Sequence, residues 1–217
     1  MYTMTRRNII MASSLLVAVL AAGGGWLLVR HAQPSPVPTT TAKDVVIKTL
    51  DHPSQTKLTT NNYHSTAAPN EPSYISLPSI GVKGYIEKVG IDQYGQMAAP
   101  TNVNLAGWYI NSLLPGQAGL SIIDGHIDGY QHNQGIFGHL DQLKAGATFT
   151  ITFGNDSSKS FQVKSVQLVA TANVPNVLFA HDPAIPSQLN LITCGGTYDA
   201  VSHTYAQRTI VISALIP

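Results

Sequence analysis

From residue 74 onward the chain is broken into short stretches of β-forming residues, many of which alternate apolar and polar side chains. Tyr74-Ile75-Ser76-Leu77, Gly84 to Val89, Leu120-Ser121-Ile122-Ile123, Ala147 to Phe153 and Ser160 to Val166 are of this kind. Period-two alternation puts one side of each stretch on a core and the other toward solvent. Asp92-Gln93-Tyr94-Gly95 and Gly154-Asn155-Asp156 supply turn residues between them. Many short strands at close spacing predict a mostly β domain whose sheet is closed, or nearly closed, into a barrel. Phe137, Leu140 and Leu143 recur every three residues, which predicts a short helix. The 144 residues from 74 to 217 suffice for one domain with its own core.

Chemistry concentrates in residues 191 to 208, LITCGGTYDAVSHTYAQR. Cys194 is the only cysteine, and Arg208 is the only arginine beyond position 30. With one cysteine the chain forms no internal disulfide, so its stability rests on the core. Cys194 ends the run Leu189 to Thr193, and Arg208 opens Thr209-Ile210-Val211-Ile212. If these runs pair antiparallel across the intervening loop, the thiol and guanidinium converge. A nearby cation favours the thiolate, which is the nucleophile. Upstream, Ser121-Ile122-Ile123-Asp124-Gly125-His126 ends another strand in a histidine. Cys, His and Arg at strand ends form a candidate centre for acyl transfer. Strand alternation puts Cys194 on one face with Ile192 and Asn190, and Arg208 on one face with Ile210 and Ile212. That predicts an apolar peptide groove with the reactive groups at its rim.

Leu191-Ile192-Thr193-Cys194 resembles the TLxTC signature of sortases, the cysteine transpeptidases of Gram-positive cell surfaces. The resemblance covers residues 74 to 217 and includes Leu77-Pro78-Ser79-Ile80-Gly81-Val82, Ala106-Gly107-Trp108-Tyr109 and Gly195-Gly196. Those segments are most similar to class F or class E. The resemblance implies an eight-stranded barrel with Cys194 as nucleophile, His126 as acid and base, and Arg208 as oxyanion ligand. It also implies substrate contacts at Thr193, Ile192, Ile210 and Gly195. The implied substrates are LPxTG-like sorting-signal peptides, and the implied acceptor is an amine such as that of a cell-wall precursor. No cofactor or metal is implied. Two positions depart from the family pattern: Asn190 replaces the first Thr, and Asp124 replaces a small residue, where it could change the charge of His126.

Other classes are less well matched. An L,D-transpeptidase carries a motif like S-x-G-C-[IV]-R, which Thr193-Cys194-Gly195-Gly196 does not fit. A non-catalytic wall-binding β-domain would leave the Cys194–Arg208 coincidence unexplained. Asp124, His126, Asp128, His132 and His139 lie close in sequence but match no strong metal-ligand motif. Beyond residue 73, six Lys/Arg stand against eight Asp/Glu, a net charge of minus two, which argues against nucleic acid as a partner.

Ile9 to Val29 is a 21-residue run without a charge. At 1.5 Å per residue a helix of this length spans a hydrocarbon core of about 30 Å. Arg6 and Arg7 precede the run and favour a cytoplasmic N-terminus. The expected organisation is therefore a cytoplasmic stub and transmembrane signal-anchor over 1–29, a flexible Pro/Thr-rich linker over 30–73, and an extracellular catalytic barrel over 74–217. Ala21-Ala22-Gly23 leaves signal-peptide cleavage as the competing reading of the first segment. The linker, with its prolines at both ends, reads as a plain tether. A lid over the groove, plugged by Tyr63 or Val45-Val46-Ile47, is the alternative.

Overall fold

The computed structural model describes residues 52–130 and 133–217. The expected anchor, the first part of the linker with Val45-Val46-Ile47, and His132 lie outside the described residues. Among the described residues no helix is long and apolar enough to cross a membrane.

Eight strands form the domain: β1 (Pro72–Leu77), β2 (Val82–Val89), β3 (Ala106–Tyr109), β4 (Gly119–Gly125), β5 (Thr148–Phe153), β6 (Ser158–Ala170), β7 (Ser187–Asp199) and β8 (Thr204–Ile216). They close into a barrel in the order β1-β2-β3-β4-β7-β8-β6-β5. Closure leaves no unpaired edge in the sheet. Most neighbours are antiparallel, but β2–β3 and β4–β7 run parallel. The β4–β7 pairing matters most for function, because it sets the C-terminal end of β4 beside the middle of β7, two residues before Cys194.

Alternation explains the core. Ile75 and Leu77 of β1, Phe149 and Ile151 of β5, Phe161 and Val163 of β6, and Leu189 and Leu191 of β7 all point inward and are buried. Phe149 and Phe161 are cross-strand partners whose rings stack at 5.6 Å. Truncating either ring to alanine should cost about 3–5 kcal/mol. Phe137, Leu140 and Leu143 cap this core from one end, fully or almost fully buried. The helix expected around them is only a 3-10 turn at Leu140–Gln142. Gly135 and Gly138 interrupt the segment ahead of it, so the three-residue spacing reports a buried turn rather than a sustained helix.

β7 is buried on both faces from Ser187 to Thr193. Its inner face meets the core. Its outer face is covered by the excursion between β6 and β7, which includes the short helix α1 (Val174–Leu178). Asn190 holds that cover down: its Nδ2 donates to the Leu178 carbonyl at 2.8 Å, and its Oδ1 accepts from Gln188 Nε2 at 2.9 Å. The departure from the TLxTC pattern thus has a local function, a buried amide fully engaged in fixing the cover.

Of the expected linker, residues 52–71 are described, and they run against the barrel. Ser54 bridges Asn102 in a short parallel pairing, with Ser54 N donating to Thr101 O and Val103 N donating to Ser54 O, both at 2.8 Å. Tyr63 packs at a tilt against Tyr85 of β2, ring centroids 4.9 Å apart.

Candidate active site

His126 directly follows β4. Gly125 is required before it, because a Cβ there would lie 2.6 Å from the Phe137 ring. The His126 Nε2 lies 2.8 Å from the Pro100 carbonyl. A carbonyl only accepts, so Nε2 carries the proton and Nδ1 is the basic nitrogen of the neutral ring. Burial lowers the pKa of His126, partly offset by the Pro100 hydrogen bond and by the charges of Glu87 and Asp128.

Cys194 lies within β7, whose neighbours on its two sides are β4 and β8. In the antiparallel β7–β8 ladder its register partner is Arg208, so the convergence expected from the sequence is met. The segment between them is not an open loop. β7 and β8 continue as a hairpin through Tyr198↔Tyr205 and Asp199↔Thr204. The two tyrosine rings contact at 5.1 Å. Asp199 fastens the turn by accepting from the Val201 amide at 2.8 Å and the Ser202 hydroxyl at 2.8 Å. A register shift between Gly195 and Tyr198, with Gly196 at φ 74°, bends the hairpin just beyond the thiol.

The Arg208 guanidinium is oriented by its own backbone. Nη1 donates to the carbonyls of Tyr205 at 3.0 Å and Gln207 at 2.8 Å. Burial raises the Cys194 pKa; the Arg208 charge pulls it down, and Asp128 and Asp124 push it up again. The resting pair is therefore a neutral thiol and a neutral imidazole, and nucleophilicity has to be generated by proton transfer during attack.

Cys194 and His126 line one cleft of about 740 Å³, together with His52, Asp128, Tyr198 and Tyr205. On the outer face of the same strands, Ile192 and Ile210 are register partners and form an apolar cluster with Ile122, Val169 and Leu178. An open apolar groove of about 460 Å³ continues it, between Tyr109, Leu120, Ile122 and Phe179. Thr193 and Gly195 are placed differently. They line a separate cavity of about 500 Å³ with Gly196 and Thr209. Thr193 Oγ1 is buried there without a hydrogen-bond partner among the described residues.

Asp124 is buried beside Gly107, and one of its oxygens, Oδ1, has no hydrogen-bond partner among the described residues. Burial raises its pKa well above the ordinary carboxylate range. It acts on Cys194 rather than on His126, whose shift comes from burial, Pro100, Glu87 and Asp128. Sequence reasoning missed Tyr198, Tyr205 and Asp128 as residues of the cleft. Asp128 had a readable signal, since it stands two residues beyond His126. The tyrosines had one only if 195–207 was read as a hairpin.

A family model described as the sortase domain matches residues 75–216. Among solved structures, a lid mutant of sortase A from Corynebacterium diphtheriae superposes with a TM-score of 0.54 at 23% identity, covering 73% of this chain and 74% of that one. Sortase C1 of Streptococcus agalactiae, in complex with MTSET, gives 0.52 at 18% identity over 70% of this chain and 72% of that one. A Clostridium perfringens sortase D5 transpeptidase gives 0.50 at 21% identity over 68% and 79%. No curated protein matches the chain by sequence.

Proposed function

Because the chain belongs to the sortase family of cysteine transpeptidases, we propose that it cuts an LPxTG-like sorting motif and joins the acyl half to an amine. The acceptor is a cell-wall precursor or another protein. The observation that carries this reading is the direct pairing of Cys194 with Arg208, with Cys194 and His126 lining one cleft beside an apolar groove.

Attack by the Cys194 sulfur on the Thr carbonyl carbon transfers the thiol proton to His126. The Arg208 guanidinium stands beside the thiol and stabilises the developing oxyanion with planar, fixed donors. His126 then gives its proton to the departing glycine amine, and a thioester on Cys194 remains. In the second half His126 takes a proton from the acceptor amine and returns one to the leaving thiolate, the reverse of its first role. The acyl half of the peptide lies in the open groove between Tyr109, Leu120, Ile122 and Phe179, which is backed by the buried Ile192 and Ile210.

The run Ile9 to Val29 anchors the enzyme in the membrane with the barrel outside the cell. The segments Leu77 to Val82 and Ala106 to Tyr109 support assignment to class F or E. Mass spectrometry of the enzyme mixed with a library of LPxTG-type peptides tests the central claim. A thioester adduct on Cys194 is expected, and its absence across the library overturns the reading.

A further inference from the structure

His126 is not held by β4 alone. Its Nε2–H is received by the Pro100 carbonyl at 2.8 Å, and Pro100 belongs to the excursion of residues 90–105 that joins β2 to β3. The Pro100 C=O and the Thr101 N–H are the two poles of one trans peptide group, so they point in opposite directions. One pole holds the imidazole. The other is held by Glu87 of β2: the Thr101 N–H donates to Glu87 Oε1, and the Thr101 hydroxyl donates to Glu87 Oε2 at 3.0 Å. The next peptide is fixed as well, because the Thr101 carbonyl accepts from the Ser54 amide at 2.8 Å.

Register explains why Glu87 is within reach. Glu87 pairs with Gly107 in β2–β3, and Gly107 pairs with Asp124 in β3–β4. Glu87 thus stands in the row of Asp124, and His126 follows Asp124 by two residues at the end of β4. The charge of Glu87 is felt at the ring, where it favours the protonated form, as does that of Asp128.

A carboxylate bound to the N–H of an amide polarises the peptide, so the carbonyl at its other pole becomes a stronger acceptor. We propose that Glu87 is the positioning residue of His126, acting through the single Pro100–Thr101 peptide group to hold the ring with its proton on Nε2 and Nδ1 available as the base. The effect on rate rests on the sortase reading of the site; the effect on the ring does not. Glu87 is not among the residues lining the Cys194 cleft. It orients the base and moves no proton itself.

The test uses the full chain in detergent micelles, labelled with nitrogen-15 at histidine and threonine. In the wild-type enzyme neutral His126 carries its proton on Nε2, and this proton and the Thr101 amide proton both resonate at low field. Glu87→Gln keeps an oxygen acceptor without the charge. Both resonances then move upfield together, although residue 87 bonds to only one of the two groups. Glu87→Ala removes the acceptor: both protons exchange with solvent, and kcat for thioester formation with an LPxTG-type peptide falls about tenfold at unchanged KM, a part of what a general base supplies. Glu87→Gln recovers most of that rate. Thr101→Val removes only the hydroxyl contact and keeps both resonances. A wild-type His126 protonated on Nδ1 overturns the proposal even if Glu87→Ala fails to fold. So does a Glu87→Gln enzyme in which the Thr101 amide moves and the Nε2 proton stays, and so does an unchanged rate in Glu87→Ala. A wild-type enzyme with both low-field protons but no thioester upholds the relay and overturns the sortase reading instead.

Discussion

Cys194 of β7 and Arg208 of β8 are direct cross-strand partners, so the guanidinium is placed by backbone register rather than by a flexible loop. Its Nη1 is committed to the carbonyls of Tyr205 and Gln207, which fixes the plane of the group. A lysine at the same position would keep the charge and lose the plane. Arg208→Lys should therefore lower the rate of thioester formation about 10²–10³-fold, the range for removal of an oxyanion donor. Cys194→Ala should abolish it with the melting temperature preserved. Near-wild-type acylation by Arg208→Lys would show that charge alone suffices.

The pH dependence follows from the two directions of shift. Burial lowers the His126 pKa and raises that of Cys194. Acid protonates His126 and removes the base, but only below the ordinary imidazole range. Alkali ionises Cys194 only above the ordinary thiol range. The profile of kcat/KM for a sorting peptide should be flat through neutral pH, with its two limbs set wide apart. A narrow bell centred near neutrality would contradict this ground state.

Asp124 sets a pH dependence of stability rather than of rate. Its folded pKa is raised, so the folded chain holds this proton more tightly than the unfolded chain. The stability it contributes is present below the unfolded carboxylate pKa and is lost as pH rises through the folded value. Asp124→Asn keeps the shape without the charge. The melting temperature of this variant should exceed that of the wild type by a margin that grows as pH rises above the ordinary carboxylate range. A margin constant with pH would mean that Asp124 is not the titrating group.

His52 and Pro53 line the reactive cleft, and the Ser54–Asn102 bridge holds them there. A chain beginning at Ser73 keeps all eight strands except for Pro72 of β1, but loses that bridge and the Lys88–Glu71 ion pair. It should fold with a stability loss of roughly 1–3 kcal/mol. It should also turn over free peptide a few-fold faster than the full chain, because the cleft is widened. Unchanged turnover would make residues 52–71 a plain tether laid on the barrel wall. Slower turnover would make His52 and Pro53 part of the substrate surface.

The closed barrel and the Cys194–Arg208 pairing were legible in the sequence because each rests on a local rule. Alternation at period two fixes which side chains share a face, and antiparallel pairing fixes which strand ends meet. The shared face of Ile192 and Ile210 followed from the same phase argument, although the two form a buried cluster rather than an open floor. Thr193 lies one residue from the thiol, yet strand phase turns it to the other face, where it lines the separate cavity. The contributions of Asp128, Tyr198 and Tyr205 depend on how the hairpin leans over the strand β4, and no local pattern encodes that. The short helix expected at 137–143 is only a 3-10 turn, whose i→i+3 hydrogen bonds, such as Leu140 N to Phe137 O and Leu143 N to Leu140 O, give the three-residue spacing without an α-helix.

The parallel alignment of β4 with β7 has a consequence for when the enzyme becomes reactive. His126 and Cys194 are brought together only by this long-range pairing, and Arg208 only by β8, which pairs with both β7 and β6. These last strands are synthesised after every other part of the barrel. A nascent, exported or partly unfolded chain thus carries a single ordinary thiol with no partner in the same chain and no assembled centre around it. Closure of the barrel is itself the activation step, and a chain that has not finished folding has no means of acylating anything.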